Sequence, residues 1–174
     1  NFLEDVTGHG HDGTIQGATL APGFVSGESM QFYGPNDPFI RVSHAADLNP
    51  ERAFTLAAWV HPTTFGEGFG GSIIGGFGYS PLAGYVFQMS DAVEGLRLFG
   101  VARYTPLHSD YEVLSLLNWQ HVAITYIDRQ VRFYVNGEPA GGGTANHAPV
   151  SVDGDLILGN DETLTSAFNG RIDD

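Results

Sequence analysis

The stretch Asn118–Gly143, NWQHVAITYIDRQVRFYVNGEPAGGG, decides the fold. Trp119 to Tyr126 is rich in the β-branched and aromatic residues that fit a pleated surface, and it predicts a strand. Side chains alternate along a strand. Val122, Ile124 and Tyr126 therefore share one face, joined at the edge by Gln120, and His121, Ala123 and Thr125 share the other. Ile127-Asp128-Arg129-Gln130 turns the chain. Gln130–Val135 is a second strand, with Val131, Phe133 and Val135 inward and Arg132 and Tyr134 outward. Asn136-Gly137 follows at once and supplies the two positive-φ positions of a type I′ turn. The chain then folds straight back through Glu138-Pro139-Ala140.

Outward from this hairpin the same pattern recurs. Phe54–His61 predicts a strand with Phe54, Leu56, Ala58 and Val60 on one face and Thr55, Ala57, Trp59 and His61 on the other; Pro62 ends it. Shorter strands are expected at Asp12–Gln16, Ser29–Tyr33, Phe39–Val42, Ser72–Phe77, Tyr85–Met89, Leu96–Ala102, Tyr111–Leu116, Leu156–Leu158 and Phe168–Ile172. Ser43–Arg52 has room for one helical turn. Thr63–Gly71, TTFGEGFGG, is glycine-rich but lacks Gly-Lys-Ser/Thr and precedes no helical period, so it is a surface loop and not a phosphate cradle. Many short strands with regular turn signals predict an all-β, two-sheet antiparallel sandwich.

The chain has 174 residues, enough for one domain that buries roughly 70% of its unfolded surface. Its 20 acidic and 7 basic residues give a formal charge of −13, which disfavours nucleic acid and anionic membranes as partners. No cysteine is present, so disulfides and thiol chemistry are excluded. No apolar run reaches membrane-spanning length, and Asn1-Phe2-Leu3-Glu4 carries no basic segment of a signal peptide.

NWQHVAITYIDRQVRFYVNGEPAG resembles the central hairpin of laminin G-like domains with the concanavalin A-type jelly roll. VTGHGHDGTIQGA (Val6–Ala18), SMQFYGPNDPFIRV (Ser29–Val42), AFTLAAWVHP (Ala53–Pro62) and LILGNDETLTSAFNGRIDD (Leu156–Asp174) resemble further segments of that family, in its order. The resemblance implies a concanavalin A-like, laminin G-like jelly roll over residues 1–174. In that family the chain runs on past Asp174 into another strand, so the sequence is expected to be a piece of a larger protein. Trp119, by the same resemblance, is expected in the core. The resemblance specifies the fold more than the activity, because one fold hosts many functions.

Two kinds of site follow. The resembled modules often hold a structural calcium where their termini meet, and a hard cation takes six to eight oxygens from carboxylates and carbonyls. Asp5 with Asp173 or Asp174 would supply carboxylates, and Gly8 and His11 carbonyls. The alternative is a metal-free turn in which the acids accept backbone N–H groups. Sugar binding would use aromatic faces, for which Trp59, Tyr79, Tyr104 and Tyr111 are the candidates. For Trp59 the favoured reading is a place under covering loops as a second small core. No Glu-x-Asp-x-Glu or Glu-x-Asp-x-x-Glu run and no Gly-x-Ser-x-Gly elbow is present, and Glu67, Asp91, Glu94, Asp110 and Glu112 are isolated acids. The expected function is a non-catalytic binding or adhesion module of a secreted or cell-surface protein, with carbohydrate or a neighbouring domain as partner. A spacer packed on a catalytic domain and a divergent glycosidase or lyase are the alternatives.

Overall fold

A computed structural model describes residues 2–24, 27–33, 37–66, 70–79, 82–100 and 106–174. Among these residues fifteen strands run in the order β1 (Phe2–Leu3), β2 (Gly13–Gln16), β3 (Thr19–Pro22), β4 (Glu28–Phe32), β5 (Phe39–Val42), β6 (Ala53–Pro62), β7 (Ser72–Tyr79), β8 (Leu82–Ser90), β9 (Gly95–Phe99), β10 (Leu107–His108), β11 (Gln120–Ile127), β12 (Gln130–Val135), β13 (Glu138–Thr144), β14 (Leu156–Leu158) and β15 (Gly170–Asp173). One 3-10 turn, Ala46–Leu48, falls in the segment that had room for it. The strands form an eight-stranded sheet, β1-β2-β5-β14-β7-β8-β9-β10, packed on a seven-stranded sheet, β13-β12-β11-β6-β15-β4-β3. The named strand pairs are antiparallel.

The central hairpin folds as its sequence dictates. β11 pairs with β12 from Val122↔Val135 to Ile127↔Gln130. Asn136 and Gly137 have φ of 52° and 83°, both positive as a type I′ turn requires. The Asn136 side chain also accepts the His121 N–H at 2.9 Å. Asp128 and Arg129 form a second turn with positive φ at both positions, 43° and 72°, without any glycine. An Asp tolerates this region better than most residues, and the Arg52–Asp128 ion pair at 3.2 Å ties the turn to the start of β6.

Val122, Ile124, Phe133 and Val60 are fully buried between the sheets, each contributing about 1.5–3 kcal/mol. Leu56 and Val135 are half-buried against the same core. Phe54 lies between Tyr126 and Tyr85, 5.0 Å from each ring, and the Tyr85 hydroxyl donates to the Leu48 carbonyl at 3.0 Å. Burial raises the Tyr85 hydroxyl to about 12.

Three local expectations differ. Tyr111–Leu116 is turn and loop, because Glu112 adopts positive φ and the Glu112 and Leu114 N–H groups bond back to Val93 and Glu94. The last strand begins at Gly170, not Phe168, because Phe168 turns inward and its N–H bonds Gly159 across the preceding loop. Trp119 lies outside the core. Gln120 takes the inward position, pairing with Val60 and bonding both backbone groups of Ser115, so alternation turns Trp119 outward.

Candidate functional site: the aromatic outer face of the seven-stranded sheet

The register of three strands, β6, β11 and β15, assembles this face. Trp59 pairs with His121 on one side and Asp173 on the other. His61 pairs with Arg171, and Trp119, the residue just before β11, stands beside His61. The Trp59–His121 and His61–Trp119 rings each meet edge-on at 5.4 Å. The Arg171 guanidinium lies 5.2 Å over the Trp119 ring, a contact worth about 0.5–1 kcal/mol near solvent.

Phe24, beyond the end of β3, completes the cluster. Its ring is 4.4 Å from Trp59 and 5.9 Å from Trp119. Two bonds hold that segment over the sheet. The Phe24 N–H donates to Asp173 at 2.7 Å, and Arg171 donates to the Pro22 carbonyl at 3.0 Å. Phe24 keeps 54% of its surface exposed, and Trp59 and Trp119 are half-buried. The result is part small core and part open aromatic surface. Such rings present π-faces to apolar ligand surfaces, with His and Arg supplying hydrogen bonds at the edge.

The same face continues over β12 and β13. Tyr134 pairs with Ala123 and with Pro139, and Arg132 with Thr125 and Gly142. Here a groove of about 410 Å³ is lined by Gln130, Arg132, Tyr134, Pro139, Thr144 and the glycines 141–143. The small side chains Ala57 and Ala123 lie between it and the Trp59–His121 pair.

A second polar constellation crosses the outer face of the eight-stranded sheet, and sequence reasoning missed it. Gln88 of β8 donates to Ser72 of β7 at 2.7 Å and accepts from Arg97 of β9 at 2.8 Å. Arg97 pairs with His108 of β10. Ser72, Gln88 and Ser90 are buried, and among the described residues the Ser90 hydroxyl and His108 Nδ1 have no hydrogen-bond partner. Burial, then the charge of Arg97, lowers the His108 imidazole from its ordinary value, so it is neutral at neutral pH. The available signal was the polar alternation Gln88, Ser90 and Arg97 inside apolar strands, a pattern that becomes a row only once register is known.

The expected ligand residues are not gathered in one place. Trp59 belongs to the aromatic cluster. Tyr111 is 75% exposed in a turn next to Asp110, whose N–H bonds Ala140 of β13. Tyr79 ends β7 in the other sheet; its side chain, with Tyr104 and Glu67, lies outside the described residues.

The N-terminal loop is a hydrogen-bonded turn around Asp5. One carboxylate oxygen accepts the Thr7 N–H and hydroxyl at 2.9 and 2.6 Å, and the other accepts the His9 and His11 N–H groups at 3.1 Å. The Thr7 hydroxyl, then the His11 and Thr7 N–H groups, hold the Asp5 carboxyl well below the usual range. Gly8 turns the loop with φ of 79°, and the His11 ring meets Asp47 at 3.0 Å. Asp173 is buried and accepts the Phe24 N–H, and Asp174 is exposed. Asp173 and Asp174 line one cavity of about 340 Å³ together with Glu4, Val6 and Glu28, so the two ends of the chain do meet. Among the described residues no three of His, Cys, Asp and Glu come together as a group that could hold a metal.

The architecture is that of a lectin-like jelly roll whose broad sheet faces, rather than a buried cleft, carry the exposed aromatic chemistry. The chain belongs to the laminin G family described as the concanavalin A-like lectin/glucanases superfamily, whose profile matches residues 35–174. Among solved structures it is similar to domain 4 of AbnA, a GH43 extracellular arabinanase from Geobacillus stearothermophilus, in complex with arabinotriose. That match has TM-score 0.76 and 19% identity, covering 98% of this chain and 84% of the other. It is also similar to the binding domain of Paraclostridial Mosquitocidal Protein 1, with TM-score 0.75 and 16% identity over 97% and 44%. The Bacillus subtilis carbohydrate binding module CBM66 matches with TM-score 0.51 and 12% identity over 91% and 92%. At these identities the likeness is one of fold. No curated protein matches the sequence.

Proposed function

We propose that this chain is a non-catalytic, carbohydrate-recognising module of a secreted or cell-surface protein, with the outer face of the seven-stranded sheet as its contact surface. The observation that carries this reading is the cluster of Phe24, Trp59 and Trp119 edged by His61, His121 and Arg171. Pyranose and furanose rings present C–H faces that pack on such aromatics, while imidazole and guanidinium groups bond their hydroxyls. Structural neighbours that bind arabinotriose or are carbohydrate-binding modules support the reading.

A glycan array, with hits repeated in solution by tryptophan fluorescence, tests it. Binding that is weakened at least tenfold by Trp59→Ala and Phe24→Ala, in variants that keep their strand content, is the expected result. An array without hits, or binding indifferent to both substitutions, would refute it.

A structural calcium between the chain ends is a separate proposal. In it Asp5 with Asp173 or Asp174 supplies carboxylates and Gly8 and His11 supply carbonyls; its support is that Asp173 and Asp174 share a cavity with the N-terminal residues Leu3, Glu4 and Val6. Asp5 is already satisfied by four hydrogen bonds, so any ion there would have to displace N–H donors. Excess chelator that lowers the melting temperature would support calcium; an unchanged melt with no metal by elemental analysis would leave the hydrogen-bonded turn alone.

A spacer role has its own observation. Phe2, Leu3, Val6 and Leu20 expose 69%, 40%, 92% and 60% of their surface near that same cavity. Contiguous exposed apolar surface marks a docking region, so one module can carry both a glycan face and an interdomain face.

A further inference from the structure

We propose that the groove over β12 and β13 recognises a single carboxylate-bearing sugar unit, a uronic acid, with Arg132 as the anion-binding residue; this rests on the carbohydrate reading and extends it to a substrate class. Arg132 stands apart from the other cations. The chain has seven arginines and no lysine. Among the described residues, Arg41 pairs with Asp155, Arg52 with Asp128 and Arg97 with Gln88. Arg129 donates to Asn146, and Arg171 to Pro22. Arg132 is exposed and has no such partner among the described residues, although the chain holds 20 acids.

Register explains why. The cross-strand neighbours of Arg132 are Thr125 on β11 and Gly142 on β13, and along its own strand the same face carries Gln130 and Tyr134. No carboxylate occupies these four positions. Gly142 also leaves no side chain beside the guanidinium on the β13 side. A planar guanidinium in this setting suits a bidentate carboxylate.

The rest of the groove suits a sugar ring. Tyr134 and Pro139 stand opposite each other as an apolar wall, and the volume of about 410 Å³ accommodates one ring with water around it. At the far end Gln130 and Thr144 are already hydrogen-bonded at 3.1 Å, which holds their polar atoms in place for hydroxyls.

Net charge limits the ligand further. A chain of formal charge −13 repels a polyanion, whereas over a Debye length of about 8 Å the nearest cation dominates. One acid on an otherwise neutral glycan fits both facts.

The test is an amide-resolved NMR titration of the whole chain with methyl glucuronide and methyl galacturonide, each against its neutral methyl glycoside. The acid sugars should shift the amides of Arg132, Tyr134 and the glycines 141–143, and bind about tenfold or more tighter than their neutral partners, the gain of one charged hydrogen-bonded pair. Arg132→Gln should abolish that preference without moving the melting temperature, since the side chain is exposed. Arg132→Lys should retain part of it, and Tyr134→Ala should weaken acid and neutral sugars alike. Equal binding of both members of each pair, a preference that survives Arg132→Gln, or no shift at the groove would overturn the inference. If sugars shift only the Trp59–Trp119 face, this inference fails and the carbohydrate reading stands. If no glycoside shifts any signal and the array is blank, both fail.

Discussion

Two glycine substitutions separate backbone strain from packing. Gly137 and Gly159 have nearly the same φ, 83° and 80°. A Cβ at Gly137 would meet nothing within 4 Å, whereas one at Gly159 would enter the ring of Phe32. Phe32 cannot yield, because it is fully buried and packs edge-on against Phe168 at 6.2 Å. Gly137→Ala therefore carries the left-handed backbone cost alone, about 1 kcal/mol. Gly159→Ala adds overpacking of about 1–3 kcal/mol, for a total of about 2–4 kcal/mol. For a chain of this size each kcal/mol moves the melting temperature by about 2–4 °C. Calorimetry should thus show a drop of about 3 °C for Gly137→Ala and about 6–12 °C for Gly159→Ala. Phe32→Leu in the Gly159→Ala background should restore part of the loss by making room. Equal drops for the two single variants would refute the placement of Phe32 under Gly159, and with it the packing of β4 against the loop after β14.

Other perturbations test other links. Folding lowers the His108 imidazole, so the unfolded chain binds its proton more readily. Stability should fall as pH drops below about 6.5, the unfolded value, toward the lower folded one, and His108→Gln should flatten the pH dependence of the melting temperature across that window, so that the difference between parent and variant changes there. The Arg41 guanidinium, then the His44 N–H, hold the Asp155 carboxyl below its ordinary 3.8 against the opposing effect of burial. That contribution is present above 3.8 and lost as pH falls through the folded value; Arg41→Met should remove most of this acid sensitivity in a pH-resolved melt. Phe24→Ala should expose Trp59 and Trp119 and shift their emission to the red, with a stability loss of about 1 kcal/mol, since Phe24 is already half open to water. An unshifted spectrum would mean that the ring does not cover the indoles.

Local chemistry was enough to determine the central hairpin, the inward faces of β6, β11 and β12, and the sandwich class. Alternation is a property of the extended backbone itself, and Asn136-Gly137 chooses its turn from two adjacent positive-φ positions, so neither needs a distant residue to be known. Family membership was legible for the same reason, because the motif is that hairpin. Trp59 was also legible as facing away from Phe54, Leu56, Ala58 and Val60. What covers it was not, since the Phe24 segment is held over it by Asp173 and Arg171, each 149 positions from its partner in the chain. Strand register and order decided the rest. Among the described residues Arg132 lacks an acid partner because Thr125 and Gly142 happen to be its neighbours across two strands, and Ser72, Gln88, Arg97 and His108 become one row only when four strands are laid side by side. Trp119 shows how the two levels conflict. Its motif pointed to the core, but the inward position at that end of β11 is held by Gln120, bonded to Ser115, and a period of two leaves the indole only the outer face.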